Sequence, residues 1–224
     1  MLTRQAKALF YRVAGPLMRI NGLFHKAFRA PASSGAGMIR VQLGPGQRHY
    51  LEGWINVDAN MFTARCDVWS DISAHLPFRD ASVDAVYSHH VIEHLPDLPT
   101  HFQEMFRILK PGGVIRVGGP NGDAAMREYL AGNHAWFSDF PDARQSIGGR
   151  LENFIFCRQE HLTILTPSFL EEIASSAGFT DVRVVSPIVE TGCPDIFDSQ
   201  VMSHEWEPSP DSPHTLLVEA RKPS

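Results

Sequence analysis

The sequence predicts an α/β fold in which helices cover both faces of a mostly parallel, doubly wound sheet of seven strands. Three observations lead to this prediction. Short apolar runs alternate with helical patterns along most of the chain. The first run ends in two glycines, Gly44 and Gly46, which is typical of a strand that turns sharply toward a ligand. A second short run ends in a carboxylate, Asp58, so a ligand site is expected at the carboxyl ends of these strands.

Residues 1–36 are expected to form a basic leader and a linker ahead of the main domain, residues 37–224. Large apolar residues recur in the leader at helical spacing, namely Leu9, Phe10, Val13, Leu17, Ile20, Leu23, Phe24 and Phe28. Pro16 permits a break in this helix, and residues 30–37 resemble a linker in composition. The favoured interpretation is an amphipathic helical extension that packs on its own domain or on a second subunit. The alternative is peripheral contact of residues 1–29 with an anionic membrane.

In the main domain, strands are predicted over residues 38–43, 54–57, 66–68, 83–87, 114–117, 182–185 and 216–220. The clearest helical patterns cover residues 98–109 and 167–177. The sequence KPGG at 110–113 is expected to end the first helix, and Gly178 to cap the second. The connection from Gly46 to Trp54 is too short for an ordinary crossover helix, so we expect it to be irregular.

Composition limits the class of protein. The 224 residues suit one domain with an appendage, and 43% of them are hydrophobic. Residues 1–51 contain eight Lys or Arg and no acidic residue, whereas the remainder holds 12 basic and 25 acidic residues. An acidic body makes nucleic acid an unlikely partner.

The cysteine pattern and the distribution of charge favour a cytoplasmic protein. The three cysteines contain no CxxC pair, which argues against a disulfide scaffold and a structural zinc site. No run approaches the roughly 18 apolar residues of a membrane span, and no signal peptide is evident. The expected location is therefore cytoplasmic, with the inner membrane face as an option for the leader.

Seven motifs occur in a fixed order: VQLGPG at 41–46, WINVD at 54–58, DI at 71–72, LPF at 76–78, SVD at 82–84, HVIEHL at 90–95 and RILKPGG at 107–113. In this order the chain resembles class I S-adenosylmethionine-dependent methyltransferases, and most closely a small bacterial branch. The match is tight over residues 38–120 and looser from His161 to the last strand. The resemblance implies a Rossmann-like fold, S-adenosylmethionine as cofactor and methyl transfer as activity. The family's usual third glycine and the acid before the loop are absent.

The resemblance also implies where the cofactor is held. Gly44 and Gly46 would let the backbone pass close to its methionine and ribose portions, and Asp58 would accept hydrogen bonds from both ribose hydroxyls. Asp71 would accept from the adenine amino group, and Ile72 would line the ring. Ser88 and His89 would lie near the sulfonium. The complete set of expected cofactor-binding residues is Leu43, Gly44, Pro45, Gly46, Asp58, Ala59, Asp71, Ile72, Ser88 and His89.

A hydroxyl acceptor would need a general base, and histidines are the candidates. The order of preference is His161, His90 and then His94, with a structural role as the alternative for each. His90 and His94 are four residues apart and could share a helix face, with Glu93 between them. This cluster could also suggest a metal, but no further ligand set is apparent, so no metal is expected. Asp84 is interpreted as a support at the strand entrance, and Trp54 as a packing residue.

The insert at residues 119–159 is expected to select the acceptor. It combines aromatic and cationic residues: Trp136, Phe137, Phe140, Arg144, Arg150, Phe154 and Arg158. This composition suits a sugar, nucleotide sugar or other anionic acceptor, although a homodimer contact would use the same residues. Proteins that resemble this chain often belong to polysaccharide pathways. The favoured function is therefore O-methylation of a small-molecule or glycan-type acceptor.

Three other functions are compatible with parts of the sequence to different degrees. A catalytically silent module that binds cofactor or a partner stays open, as does an RNA methyltransferase recruited by the basic leader. An NAD-dependent oxidoreductase is disfavoured, since His49 occupies the position of its third glycine. Asp58 also follows Gly44 by only 14 residues, whereas the acid of that class lies about 20 residues on.

Overall fold

The computed structural model describes residues 4–29, 37–60, 62, 64–73, 75–209 and 211–224. Its centre is a seven-stranded sheet with the order β3-β2-β1-β4-β5-β7-β6. The strands are β1 Arg40–Leu43, β2 Ile55–Asp58, β3 Val68–Trp69, β4 Val83–His89, β5 Leu109–Pro120, β6 Thr180–Val185 and β7 Thr215–Arg221. All neighbours pair in parallel except β7, which is antiparallel to both β5 and β6. The predicted fold class is confirmed.

Six α-helices lie among the described residues: α1 Arg4–Phe24, α2 Leu98–Ile108, α3 Gly122–Leu130, α4 Ile147–Phe156, α5 Pro167–Ser176 and α6 Ser199–Met202. Side-chain caps explain where several of them begin. The Asp97 carboxylate accepts the N–H of Thr100 at the start of α2, and Thr166 caps α5 in the same way. Gly178, with a φ of +104°, follows α5 as predicted, and its N–H donates to the Ser175 carbonyl.

The central strands β1, β4 and β5 are largely buried, whereas the edge strand β6 is largely exposed. One face of the sheet packs against α2 and α5 through residues such as Phe102, Met105 and Leu170. On the other face, Trp54 stacks on Phe197 with 6.2 Å between ring centroids. Burial of β4 on both sides is the expected state of a central parallel strand.

Two local predictions are confirmed and two need adjustment. Residues 44–54, all described, form turns and coil without a helix, so the first crossover is irregular as expected. Asp84 supports the strand entrance: its Oδ2 accepts the Ile39 N–H at 2.7 Å and lies 2.8 Å from Lys110 Nζ. The predicted strand at 66–68 lies at Val68–Trp69 instead, and β5 begins directly at Leu109. The KPGG segment thus follows the end of α2 as predicted, but it lies within β5 at a point where the pairing with β4 shifts register.

The leader helix packs on its own domain, but through an unexpected face. α1 is continuous through Pro16 and ends in a π-helical turn, His25–Arg29. Ala14 and Met18 are buried against Ala59 and Trp69. Seven of the eight apolar residues of the predicted pattern are instead exposed: Leu9, Val13, Leu17, Ile20, Leu23, Phe24 and Phe28. The small side chain of Ala14 and the flexible Met18 allow close approach to the sheet, which the large side chains do not.

The predicted linker at 30–37 falls outside the described residues except for Gly37. Among the residues that the structure describes, every helix is too short or too polar to cross a membrane.

Candidate functional site

A cavity of about 480 Å³ opens at the carboxyl ends of β1, β2 and β3. Five residues of the expected cofactor-binding set line it: Gly44, Asp58, Ala59, Asp71 and Ile72. Two of the three candidate catalytic histidines, His90 and His94, lie on its other side. Folding therefore brings most of the predicted site residues to one place.

The glycine turn after β1 forms one border of the cavity. Gly44 has a φ of +70°, and a Cβ at this position would lie 2.4 Å from Val91 Cγ2, so only glycine fits. Gly46 has a φ of +56°, and a Cβ there would meet no atom within 4 Å. Space therefore lies open beside Gly46, which suits a ligand that approaches the backbone.

Asp58 is held rigidly at the end of β2. Its Oδ2 accepts the Gly46 N–H at 3.0 Å, and its Oδ1 accepts the Asn60 N–H at 2.8 Å. Each carboxylate oxygen retains a second lone pair for a ligand hydroxyl. Asp71 uses Oδ1 for the N–H and hydroxyl of Ser73, at 3.0 Å and 2.6 Å. Two oriented carboxylates beside an open glycine turn fit a nucleoside that carries a diol and an amino group.

The other expected cofactor residues lie at the end of β4 and at the end of β1, where the glycine turn begins. Leu43 and Ser88 are fully buried, and Pro45 is buried with them. Ser88 Oγ and His89 Nε2 are buried without a hydrogen-bond partner among the described residues. Burial, followed by the neighbouring His90 and His49, holds the pKa of His89 well below its usual value. Such unsatisfied atoms are uncommon and suit a ligand close to β4.

The three candidate catalytic histidines surround Glu93. His90 Nδ1 lies 3.3 Å from Glu93 Oε1, and its Nε2 lies 3.2 Å from Thr215 Oγ1. His94 Nε2 lies 3.7 Å from Glu93 Oε1, and the rings of His94 and His161 are 4.9 Å apart. The predicted shared helix face is wrong, because the chain here forms only a 3-10 turn, Ile92–His94, and His90 has a φ of +55°.

Two parts of this region were missed by the sequence analysis. Tyr11 of α1 lines the cavity, where burial and the charges of Asp71 and Asp58 raise the pKa of its phenol. His49 and His204 meet with 3.3 Å between their Nδ1 atoms. No local signal could have revealed either feature, because in each the contact joins distant parts of the chain.

Part of the aromatic and cationic set predicted for the insert is buried or paired with acids. Trp136 and Phe137 are buried in a small core between α3 and α4, with Phe154 partly buried beside them, whereas Phe140 is exposed. The three arginines are already paired with acids: Arg144 and Arg158 with Asp142, and Arg150 with Asp139. Phe140, Arg144 and Arg158 are the exposed members of the set, and the role of the insert in selecting the acceptor stays a prediction.

Sequence comparison supports the resemblance. Residues 34–117 match a family model described as a methyltransferase domain. A probable S-adenosylmethionine-dependent methyltransferase of Mycolicibacterium smegmatis is 49% identical over 57 residues, which is 25% of this chain and 22% of that protein. An uncharacterized methyltransferase of Mycobacterium tuberculosis is 33% identical over 122 residues, 51% of this chain and 44% of that protein. The match thus spans less than half the length of either relative.

Solved structures show the same fold. A methyltransferase of Thermotoga maritima, described as a possible histamine N-methyltransferase, superposes with a TM-score of 0.54 at 17% identity, covering 96% of this chain and 95% of that one. An S-adenosylmethionine-dependent methyltransferase of Archaeoglobus fulgidus has a TM-score of 0.52 at 17% identity, with 95% and 94% covered. A Haloferax volcanii methyltransferase in complex with an activator protein has a TM-score of 0.52 at 19% identity, with 96% of each chain covered. These superpositions confirm the predicted Rossmann-like fold, and the methyltransferase family model supports the predicted family resemblance.

Proposed function

We propose that this chain, whose motifs and fold are those of the class I S-adenosylmethionine-dependent methyltransferase family, methylates a hydroxyl of a small-molecule or glycan-type acceptor. The main support is the pair of carboxylates, Asp58 and Asp71, held on one wall of the cavity beside Gly46. When bound, the cofactor supplies a methyl group activated by a positive sulfur. The protein then has to hold the cofactor, align the acceptor and take up its proton.

Cofactor binding is assigned to the ends of the first strands. Asp58 accepts hydrogen bonds from the two ribose hydroxyls, and Asp71 accepts from the adenine amino group through Oδ2. Ala59 and Ile72 provide apolar contact for the nucleoside, and the turn leaves room beside the backbone at Gly46. Leu43, Pro45, Ser88 and His89 complete the cofactor site around the ends of β1 and β4.

Proton uptake is assigned to the histidines beside Glu93. His94 Nδ1 lies 2.9 Å from the Glu160 carbonyl, and His161 Nδ1 lies 3.0 Å from the Ile155 carbonyl. Each Nδ1 must therefore carry the proton, which leaves Nε2 as an acceptor for a substrate hydroxyl. His90 has hydrogen-bond partners at both ring nitrogens, so it is better suited to position Glu93 than to act as a base.

Calorimetric titration with S-adenosylmethionine tests the cofactor assignment. Asp58→Ala should abolish measurable binding, because it removes the acceptor for both ribose hydroxyls. Asp181→Asn is a matched control, since Asp181 is exposed at the start of β6 on the opposite edge of the sheet. Failure of the wild-type chain to bind the cofactor, or full binding by Asp58→Ala, would contradict the proposal.

The acceptor is tested by a labelled-methyl transfer screen against nucleotide sugars, free glycans and small hydroxyl compounds. Transfer to one of these classes is expected, and loss of transfer in His161→Ala with unchanged cofactor binding would support the proton assignment. Cofactor binding without transfer to any acceptor class would favour the catalytically silent module. Transfer of the methyl group to RNA would favour the alternative function of an RNA methyltransferase.

We also propose that α1 contacts an anionic membrane surface, which would place the protein at the inner membrane face. Its outward side exposes a large apolar stripe that includes Leu17, Ile20 and Leu23, and the π-helical turn that follows adds Phe28, with 75% of its surface exposed. Residues 4–29 carry six Lys or Arg and no acid. An apolar stripe with flanking positive charge matches the chemistry of an anionic bilayer surface, at about 1 kcal/mol for each nearby basic residue.

A further inference from the structure

We propose that Glu93, His94 and His161 bind one divalent transition-metal ion at the edge of the cofactor cavity. Each residue offers a ligand atom, and the three atoms lie within 4.8 Å of one another. Two ligands come from the turn after β4 and the third from the segment before α5. No metal was expected from the sequence, because His161 is distant from Glu93 and His94 along the chain.

The two imidazoles are already oriented as metal ligands. The Nδ1 of His94 lies 2.9 Å from the carbonyl of Glu160, and the Nδ1 of His161 lies 3.0 Å from the carbonyl of Ile155. Histidines that bind metals usually donate their second ring N–H to such a carbonyl, which orients the ring and directs the other nitrogen to the metal. The ring planes of His94 and His161 meet at 72°, so each presents a separate Nε2 lone pair.

Glu93 supplies an independent reason to expect a cation. Its residue surface is only 1% exposed, and its Oε2 has no hydrogen-bond partner among the described residues. A buried carboxylate with an unpartnered oxygen is costly, and a cation bound to this carboxylate would lower the cost. The other oxygen, Oε1, lies 3.7 Å from His94 Nε2. Gly119 leaves room for this carboxylate, because a Cβ there would lie 2.6 Å from Glu93 Oε2.

Two imidazoles and one carboxylate are ligands that suit Zn²⁺, Co²⁺, Mn²⁺ or Fe²⁺ better than Mg²⁺ or Ca²⁺. Three protein ligands leave coordination positions open, as in metal sites that bind a substrate or water. His94 also lines the cavity, so an ion held here would reach the oxygen of an acceptor hydroxyl in place of the free imidazoles. That consequence rests on the proposed function, whereas metal binding itself does not.

The test uses the full chain without a histidine tag, freed of metal by a chelator and titrated with Co²⁺ and with Zn²⁺. Visible absorption should show one equivalent of Co²⁺ in a protein site, and calorimetry one equivalent of Zn²⁺. His161→Ala and His94→Ala should each weaken binding at least about tenfold. Circular dichroism of each variant establishes that it is folded; Glu93→Gln, which keeps the side-chain shape, should show the same loss.

His204→Ala is the matched control, because it removes another close histidine pair and leaves the three proposed ligands in place. It should retain one equivalent of Co²⁺. Asp58→Ala should also retain it, so failure of cofactor binding and failure of metal binding can be told apart. Absence of stoichiometric binding by the wild type, or binding that survives His161→Ala but is lost in His204→Ala, would overturn the proposal.

Discussion

At the scale of single residues, the candidate site depends on a few positions whose neighbours leave no choice of side chain. Gly44 combines a positive φ with close contact to Val91, so it is constrained twice. Asp58 is constrained by two backbone N–H donors that aim its carboxylate into the cavity. Constraints of this kind orient the ligand-binding groups already in the free protein, which lowers the conformational entropy lost on binding.

Gly44→Ala should lower the free energy of unfolding by at least about 2 kcal/mol, because backbone strain adds to the clash with Val91. Gly132→Ala is the control: Gly132 also has a positive φ, of +71°, but a Cβ there would meet no atom within 4 Å. It should cost about 1 kcal/mol, from strain alone. Urea denaturation of both variants measures the difference, and equal losses would contradict this account of Gly44.

The buried carboxylate of Glu104 should make the stability of the protein depend on pH. Although burial opposes its ionisation, hydrogen bonds from Arg107 and the Leu76 N–H lower the pKa of Glu104 from 4.5 to about 2. Because the folded pKa lies below the unfolded one, the resulting stability is complete above about pH 4.5 and is lost as the pH falls toward about 2. Glu104→Gln should therefore cost about 2 kcal/mol at pH 7 and progressively less below pH 4.5.

Urea unfolding of the wild type and the variant between pH 7 and pH 3 measures this dependence. Glu172→Gln, which changes an exposed carboxylate on α5, should have little effect at any pH. If the difference in free energy of unfolding between the wild type and Glu104→Gln stays constant from pH 7 to pH 3, the charge of the carboxylate contributes nothing to stability.

At the scale of elements, α1 has two distinct faces. Its inner face carries Ala14 and Met18 and lies against β3, while Tyr11 reaches the cavity. Its outer face exposes most of the large apolar residues of the leader. The helix therefore links the candidate cofactor site with a surface that nothing in the described chain covers.

The double variant Leu17→Glu and Leu23→Glu should float with phosphatidylserine vesicles at least about tenfold less than the wild type, because it places charge on the apolar stripe. Val189→Glu is a suitable control, since Val189 is equally apolar and 75% exposed but lies outside α1. Neutral phosphatidylcholine vesicles should bind the wild type weakly.

Equal flotation of the wild type and the double variant would remove the membrane proposal. Sedimentation analysis of the same samples measures whether the chain dimerises, which tests a second copy of the chain as the partner of this surface. A concentration-dependent dimer that the double variant abolishes would assign the stripe to contact between two copies of the chain.

At the scale of the whole molecule, the position of the cavity follows from the topology of the sheet. β1 has β2 on one side and β4 on the other, so the connections leave the centre of the sheet in opposite directions. This change of direction opens a crevice at the carboxyl ends of the strands, which is where open α/β sheets bind ligands. The predicted glycine turn and the two aspartates lie in this crevice.

A buried cluster of charged side chains lies against strands β5 and β7. Arg116 on β5 donates to both carboxylate oxygens of Glu205 at 2.6 Å and to Glu219 on β7 at 2.7 Å. Arg116 and Glu205 are fully buried. The cluster ties the segment after α6 to the centre of the sheet, and this segment also positions His204 beside His49.

The sequence alone was sufficient to predict the seven strands, the glycine turn and the two aspartates, because these features depend on neighbouring residues and on where a strand ends. Only the tertiary structure placed His161 beside His94, Tyr11 at the cavity and acidic partners on the arginines of the insert. It also decided which face of α1 is buried. These outcomes depend on contacts between segments that are distant along the chain, and periodicity carries no information about such contacts.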